Sequence, residues 1–126
     1  SISDTIGAGT PQQIYNLTHP LVVDYGADRV NLHVHDTRGQ ASAMVWSAYL
    51  AGVRSFDASI GGLGGCPFAP GATGNVATED LVYLFNESGI ETGVDFALLE
   101  PTVRFAEQIT QSALGGKSME WWRRKR

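Results

Sequence analysis

The chain has 126 residues, 43% apolar and 17% charged, with a formal net charge of −4, values ordinary for one soluble globular domain and unfavourable for nucleic acid as a main partner. A single cysteine excludes an intrachain disulfide and points to a reducing compartment. No apolar run reaches the ~20 residues of a membrane span, and no charged-then-apolar leader opens the chain, so no membrane partner is expected.

In chain order, Ser1 to Ser3 read as the end of a strand, followed by the polar loop Asp4-Thr5-Ile6-Gly7-Ala8-Gly9. Thr10-Pro11 has the form of an N-cap with proline at the first helical position. It predicts a helix from Pro11 toward Tyr25, kinked or restarted near Thr18 by Pro20 and ended by Gly26. Arg29 to His35 alternates as a strand, with Val30, Leu32 and Val34 on one face and Asn31, His33 and His35 on the other. Gly39 to Leu50 reads as a helix stopped at Gly52. Arg54 to Ile60 reads as a strand that sets Phe56, Ala58 and Ile60 opposite Ser55, Asp57 and Ser59. Gly61-Gly62-Leu63-Gly64-Gly65-Cys66-Pro67 is a loop, and Asn75-Val76-Ala77 a short strand. Thr78-Glu79-Asp80 opens a helix with acids in its first turn that ends at Gly89. Asp95 begins a helical tail that restarts at Pro101 and runs to about Leu114. The basic end, Trp121-Trp122-Arg123-Arg124-Lys125-Arg126, reads as a frayed, solvated tail, giving a folded stretch over 1–114 and a basic tail over 115–126.

Strands that alternate with helices over short connections make an α/β chain of βα units with a parallel sheet. Roughly three or four such units fit here, whereas a closed (β/α)8 barrel needs ~250 residues. The expectation is a partial barrel excerpted from a longer protein, with a half-barrel completed by another chain and a small stand-alone open α/β sheet as the other readings.

Two segments carry chemistry. In His33-Val34-His35-Asp36, residues two apart on a strand point the same way, so both imidazoles share one face. They read either as two nitrogen ligands at the C-terminal mouth of a barrel or as half-buried histidines bonded to nearby backbone. Four glycines within Gly61 to Gly65 open backbone conformations closed to other residues, and Cys66 follows them. A thiol there can exchange a proton as a loop closes, or be a bystander on a surface loop. The loop lacks the Lys-Ser/Thr ending of a phosphate-binding P-loop. Asp4 and Asp57, near strand ends, can act as bases or cap and pair locally, and the barrel interior is the stronger reading for Asp57. Asn75 offers an amide oxygen to a hard cation or serves as a turn residue. Glu79 and Asp80 are accounted for as helix-start acids.

Together these segments resemble the 3-hydroxy-3-methylglutaryl-CoA lyase family. The resemblance rests on Asp4-Thr5-Ile6-Gly7, on His33-Val34-His35-Asp36-Thr37-Arg38-Gly39-Gln40, on Phe56-Asp57-Ala58-Ser59 and above all on GGLGGCPFAPGATGNVATED from Gly61 to Asp80. Ile90-Glu91-Thr92-Gly93-Val94-Asp95 extends it. It implies the C-terminal half of a (β/α)8 barrel and a retro-Claisen cleavage of a 3-hydroxyacyl-CoA to acetyl-CoA and acetoacetate. It also implies His33, His35 and Asn75 as ligands of one Mg2+ or Mn2+, Cys66 as the catalytic thiol, His33 as a proton-transfer aid and Asp4 at the substrate site. Glu79, Gly64 and Gly65 would support them. The implied partners are an acyl-CoA and the N-terminal half-barrel, with a homo-oligomer also open. The family's first strand supplies an arginine and a metal-binding aspartate that this stretch lacks, so these residues alone are expected not to turn over. Val34 and Arg38 resemble bacterial members, which points to a cytoplasmic enzyme without excluding the mitochondrial matrix. Two alternatives stand beside the lyase: a condensing enzyme of the same superfamily, similar to isopropylmalate or homocitrate synthases, and an inactive half-barrel used for assembly.

Overall fold

A computed structural model describes residues 1–65 and 74–125. They form two compact units: Ser1–Asp57 with the described residues of Gly64–Asn75, and Ala58–Leu63 with the described residues of Val76–Arg126.

The first unit is α/β. Strands β1 (Ile2–Asp4), β2 (Asn31–Val34) and β3 (Ser55–Asp57) lie parallel in the order β1-β2-β3, joined by helices α1 (Pro11–Tyr25) and α2 (Ala41–Leu50). The register sets His33 between Ser3 and Asp57. Helix α1 begins where its local chemistry directs. Thr10 Oγ1 accepts from Gln13 N at 3.3 Å while Gln13 Oε1 accepts from Thr10 N at 3.0 Å, a reciprocal capping box. Pro20 does not break the helix. Its ring lies on the exposed face, where it displaces no packing, and the helix runs unbroken to Tyr25. The apolar face of β2 is the core: Val30, Leu32 and Val34 are buried with Ala41, Met44, Val45 and Ala48 of α2 and Ile14 of α1. Burying each valine or leucine side chain contributes about 1.5–3 kcal/mol. Gly52, at φ 109°, brings its backbone so near Val22 that a Cβ would lie 2.8 Å from a valine methyl.

The second unit is mainly helical: α3 (Thr78–Glu87), α4 (Phe96–Thr110) and α5 (Lys117–Arg124). The expected strand through Ile60 stops at Asp57, because Gly61 and Gly62 take φ of 64° and 71° and turn the chain into one tight helical turn over Ile60–Gly62. The expected strand at Asn75-Val76-Ala77 is reduced to isolated bridges, His35 with Asn75 and Ser59 with Ala77. Asp95 caps α4 by accepting from Ala97 N at 2.9 Å. Pro101, on the exposed face, does not restart that helix.

The basic end is not frayed. Residues 117–124 are helical, and Met119 is fully buried in a cluster with Val82, Leu99 and Val103, against which Ile60, Phe96, Leu114 and Trp122 pack. The N-terminus of α5 is capped by Asp80, whose carboxylate accepts from Lys117 N at 3.2 Å and Ser118 N at 2.9 Å. Arg123 binds Glu107 through two parallel bonds of 3.1 and 3.0 Å and reaches Glu100 at 3.3 Å. No helix among the described residues is long and apolar enough to cross a membrane.

Candidate active site

The polar face of the sheet carries the candidate residues. Alternation on β2 sends Asn31 and His33 away from buried Leu32 and Val34. Across the three strands this face is organised in rows. Asn31 Nδ2 donates to Ser1 Oγ at 3.0 Å, and Ser55 Oγ donates to Asn31 Oδ1 at 2.8 Å. One step toward the C-terminal ends of the strands stand Ser3, His33 and Asp57.

His33 and His35 do share a face, with ring centroids 5.4 Å apart and planes tilted by 59°. His35 is buried, at 5% exposure, and sits past the end of β2, where its backbone N–H donates to Asp4 O at 3.3 Å. Opposite it stands Asn75 in an antiparallel bridge, so the third expected ligand is brought beside the second. His33 is half-buried, and its Nδ1 lies 3.1 Å from Asp57 Oδ2. Asp57 therefore stands on the polar face of the sheet, the face a closed barrel would enclose, as the partner of His33. Alternation along both strands already set His33 and Asp57 on polar faces. What the sequence lacked was the register that makes them neighbours.

Asp4 is committed to its own loop. Its Oδ1 accepts from Ala8 N at 3.0 Å and its Oδ2 from Gly9 N at 2.9 Å. The β2–α2 loop is held by Asp36, which accepts from Ala41 N at 3.0 Å, and by Arg38, which donates to Ile6 O at 3.2 Å. These two braces were not among the expected site residues, since neither follows a local capping pattern.

Cys66 lies outside the described residues, as do 67–73. The ends of that segment are clear. Gly64 O accepts from Asn75 N at 3.0 Å, and Gly74 O accepts from Asp36 N at 3.3 Å. Gly64 has φ 95°, and a Cβ on it would meet Asn75 Nδ2 at 2.9 Å, so glycine is needed there for both conformation and space. Gly65 is exposed.

Glu79 belongs to the second unit. It is fully buried, and its carboxylate accepts from Gly61 N at 3.1 Å and Gly116 N at 2.9 Å. It is more than a helix-start acid, since it clamps two backbone segments of that unit together.

Imidazole nitrogens and an amide oxygen are donor types that suit a divalent cation. With Nδ1 of His33 turned toward a carboxylate, Nε2 is left as its outward donor, the arrangement found where a carboxylate orients a metal-binding histidine. Among the described residues, no group of three or more His, Cys, Asp or Glu side chains is placed to hold a metal ion, so further oxygen ligands would have to come from elsewhere.

The HMGL-like family model matches residues 1–105. A hydroxymethylglutaryl-CoA lyase of Bacillus subtilis, YngG, is 40% identical over 120 residues, covering 95% of this chain and 40% of the relative. An (R)-citramalyl-CoA lyase of Chloroflexus aurantiacus is 46% identical over 98 residues, covering 78% of this chain and 31% of the relative. Among solved structures, an HMG-CoA lyase from Acinetobacter in complex with coenzyme A and 3-methylmalate superposes with a TM-score of 0.87 at 39% identity, over 91% of this chain and 38% of that one. The chain thus spans about two fifths or less of the proteins it matches.

Proposed function

We propose that this chain, which belongs to the HMGL-like family and has the α/β fold of part of a lyase barrel, supplies the metal-binding rim of a carbon–carbon lyase acting on a 3-hydroxyacyl-CoA. One observation carries the reading. The rings of His33 and His35 stand 5.4 Å apart on one face at the C-terminal ends of parallel strands, with Asn75 bridged to His35. Catalytic groups of barrel enzymes gather at that end.

Cleavage removes the proton of the tertiary hydroxyl, and the adjacent carbon–carbon bond then breaks as its electron pair passes to the thioester side as an enolate. A proton on that carbon completes acetyl-CoA, while the hydroxyl carbon leaves as a ketone. His33, His35 and Asn75 would hold one Mg2+ or Mn2+, which when bound lowers the pKa of a hydroxyl and fixes reacting oxygens in place. His33, half-buried, stands where it can take part in proton transfer. Cys66 is assigned the return of the proton, a general-acid role open to a thiol. Gly64 and Gly65 lead into that segment, and the missing side chain of Gly64 leaves room for the Asn75 amide. Asp4 shapes the rim by holding the amides of Ala8 and Gly9. Glu79 fixes the backbone of Gly61 at the start of the glycine run. The remaining strands of the barrel would contribute the other ligands and the enolate-stabilising cation.

Cleavage is favoured over condensation by the cysteine within its glycine-rich segment and by the lyases among the relatives. A cytoplasmic setting accords with the lone cysteine and the bacterial-type motif. The test is to incubate the whole protein and Mn2+ with 3-hydroxy-3-methylglutaryl-CoA, with citramalyl-CoA, and with acetyl-CoA plus 2-oxo acids. Acetyl-CoA released from either hydroxyacyl-CoA supports the lyase and identifies its acyl group. Consumption of acetyl-CoA in the third mixture alone would replace it with a condensing enzyme, and silence in all three would leave an assembly module. Cys66→Ala is expected to lower kcat at least ~100-fold, the scale of a lost general acid. Unchanged turnover would remove the thiol from the chemistry.

A further inference from the structure

Asp57 has no part in the ligand set above, yet its carboxylate meets an imidazole. Its Oδ2 lies 3.1 Å from Nδ1 of His33, on the adjacent strand and directly in register. An ionised carboxylate only accepts hydrogen bonds, so the proton of that contact belongs to Nδ1, and the lone pair of the ring belongs to Nε2. A free neutral imidazole in water favours the opposite tautomer, with the proton on Nε2. The contact therefore selects a tautomer and a ring orientation.

The neighbours support that selection. His33 is followed two residues on by His35, whose ring is tilted across it at 5.4 Å, so rotation of the His33 ring would change which nitrogen shares the space between them. The row beneath is already satisfied, since Asn31 is bonded to both Ser1 and Ser55. Asp57, at the end of β3, is thus placed by backbone pairing at a single height on the sheet, level with His33.

We propose that Asp57 is a positioning residue that holds His33 as the Nδ1–H tautomer and so presents Nε2 to the cation. The proposal rests on the metal-binding reading given above. The experiment is carried out on the whole protein, with histidine side chains labelled with 15N and the His33 signals assigned by their loss in His33→Ala. In metal-free parent protein, Nδ1 of His33 should show the shift of a protonated ring nitrogen and Nε2 that of an unprotonated one. In Asp57→Ala the pattern should reverse. In Asp57→Asn, whose amide oxygen still accepts, it should be largely retained. Titration with Mn2+, followed by the electron paramagnetic resonance of the free ion, should show binding weakened about 10- to 100-fold in Asp57→Ala, the range for loss of an outer-shell partner. Circular dichroism matching the parent's would show that the alanine variant is folded. An Nε2–H ring in the parent, or a tautomer or an affinity unmoved by Asp57→Ala, overturns the positioning role alone. A parent that binds no Mn2+ overturns the metal-binding reading, and the proposal with it.

Discussion

The two units use the same residue types in opposite ways. In the helical unit nearly every acid with a structural partner is tied to something that cannot leave: Glu79 to two backbone amides, Asp80 to the first turn of α5, Glu107 to the fork of Arg123. On the polar face of the sheet unit, Asp57 meets an imidazole that keeps a second nitrogen for another partner. In the same unit Asp4 and Asp36, bound to the backbone amides of Ala8, Gly9 and Ala41, behave as the acids of the helical unit do. A carboxylate facing fixed donors builds the fold, while one facing a histidine on an open face leaves chemistry available. Substitutions at the histidines and Asp57 of that polar face should therefore change ligand binding with little change in stability, and those at Glu79, Asp80 and Glu107 the reverse.

The sharpest break of that contrast would come from His35→Ala. It should weaken Mn2+ binding by the whole protein by more than ~100-fold, beyond the effect of an outer-shell change. A titration identical to the parent's would remove His35 from the ligand set. Next in size, Met119→Ala empties a fully buried site in the second core and should cost about 2–5 kcal/mol in urea denaturation, with Mn2+ affinity retained under folding conditions. A midpoint equal to the parent's would mean that α5 does not dock. Glu79→Gln keeps the shape but turns an acceptor oxygen into an N–H opposite a backbone N–H, and should cost about 1–3 kcal/mol. The smallest effect concerns pH. The bonds from Arg123, then from the backbone of Leu114, hold the Glu107 carboxyl below its ordinary value of 4.5. Because folding lowers this pKa, the stability it contributes is complete above the ordinary value and is lost as pH falls through the lowered one. In Arg123→Ala that acid-side loss should shrink by no more than about 1 kcal/mol, since partly exposed pairs are screened. An acid limb unchanged in slope would show that the pair contributes nothing.

What could be read from the residues alone was what is decided locally. Helix α1 runs from Pro11 to Tyr25 as anticipated, because Thr10, Gln13 and Gly26 set its ends from within a few positions. The core face of β2 followed from alternation, and so did the shared face of His33 and His35. What could not be read depends on distant partners. Helix α5 is capped by an aspartate some 37 residues earlier and anchored by Met119 among side chains from α3 and α4, so composition alone made its basic end resemble a loose tail. The prolines misled because the lost N–H and the crowding of the preceding turn are accommodated within continuous helices at Pro20 and Pro101. The partnership of Asp57 with His33 needed strand register, which no single strand encodes.

The pairing of Asn75 N with Gly64 O, reinforced by Asp36 N with Gly74 O, works as a clasp that brings the two ends of the cysteine-bearing segment together before any of its interior is specified. A ring already closed at its neck changes little in free energy when its circumference changes, since doubling such a length adds only about 0.6 kcal/mol of closure entropy. The alignment of Asn75 beside His35 is thus carried by bonds outside residues 66–73, from Asn75 N to Gly64 O and from Asp36 N to Gly74 O.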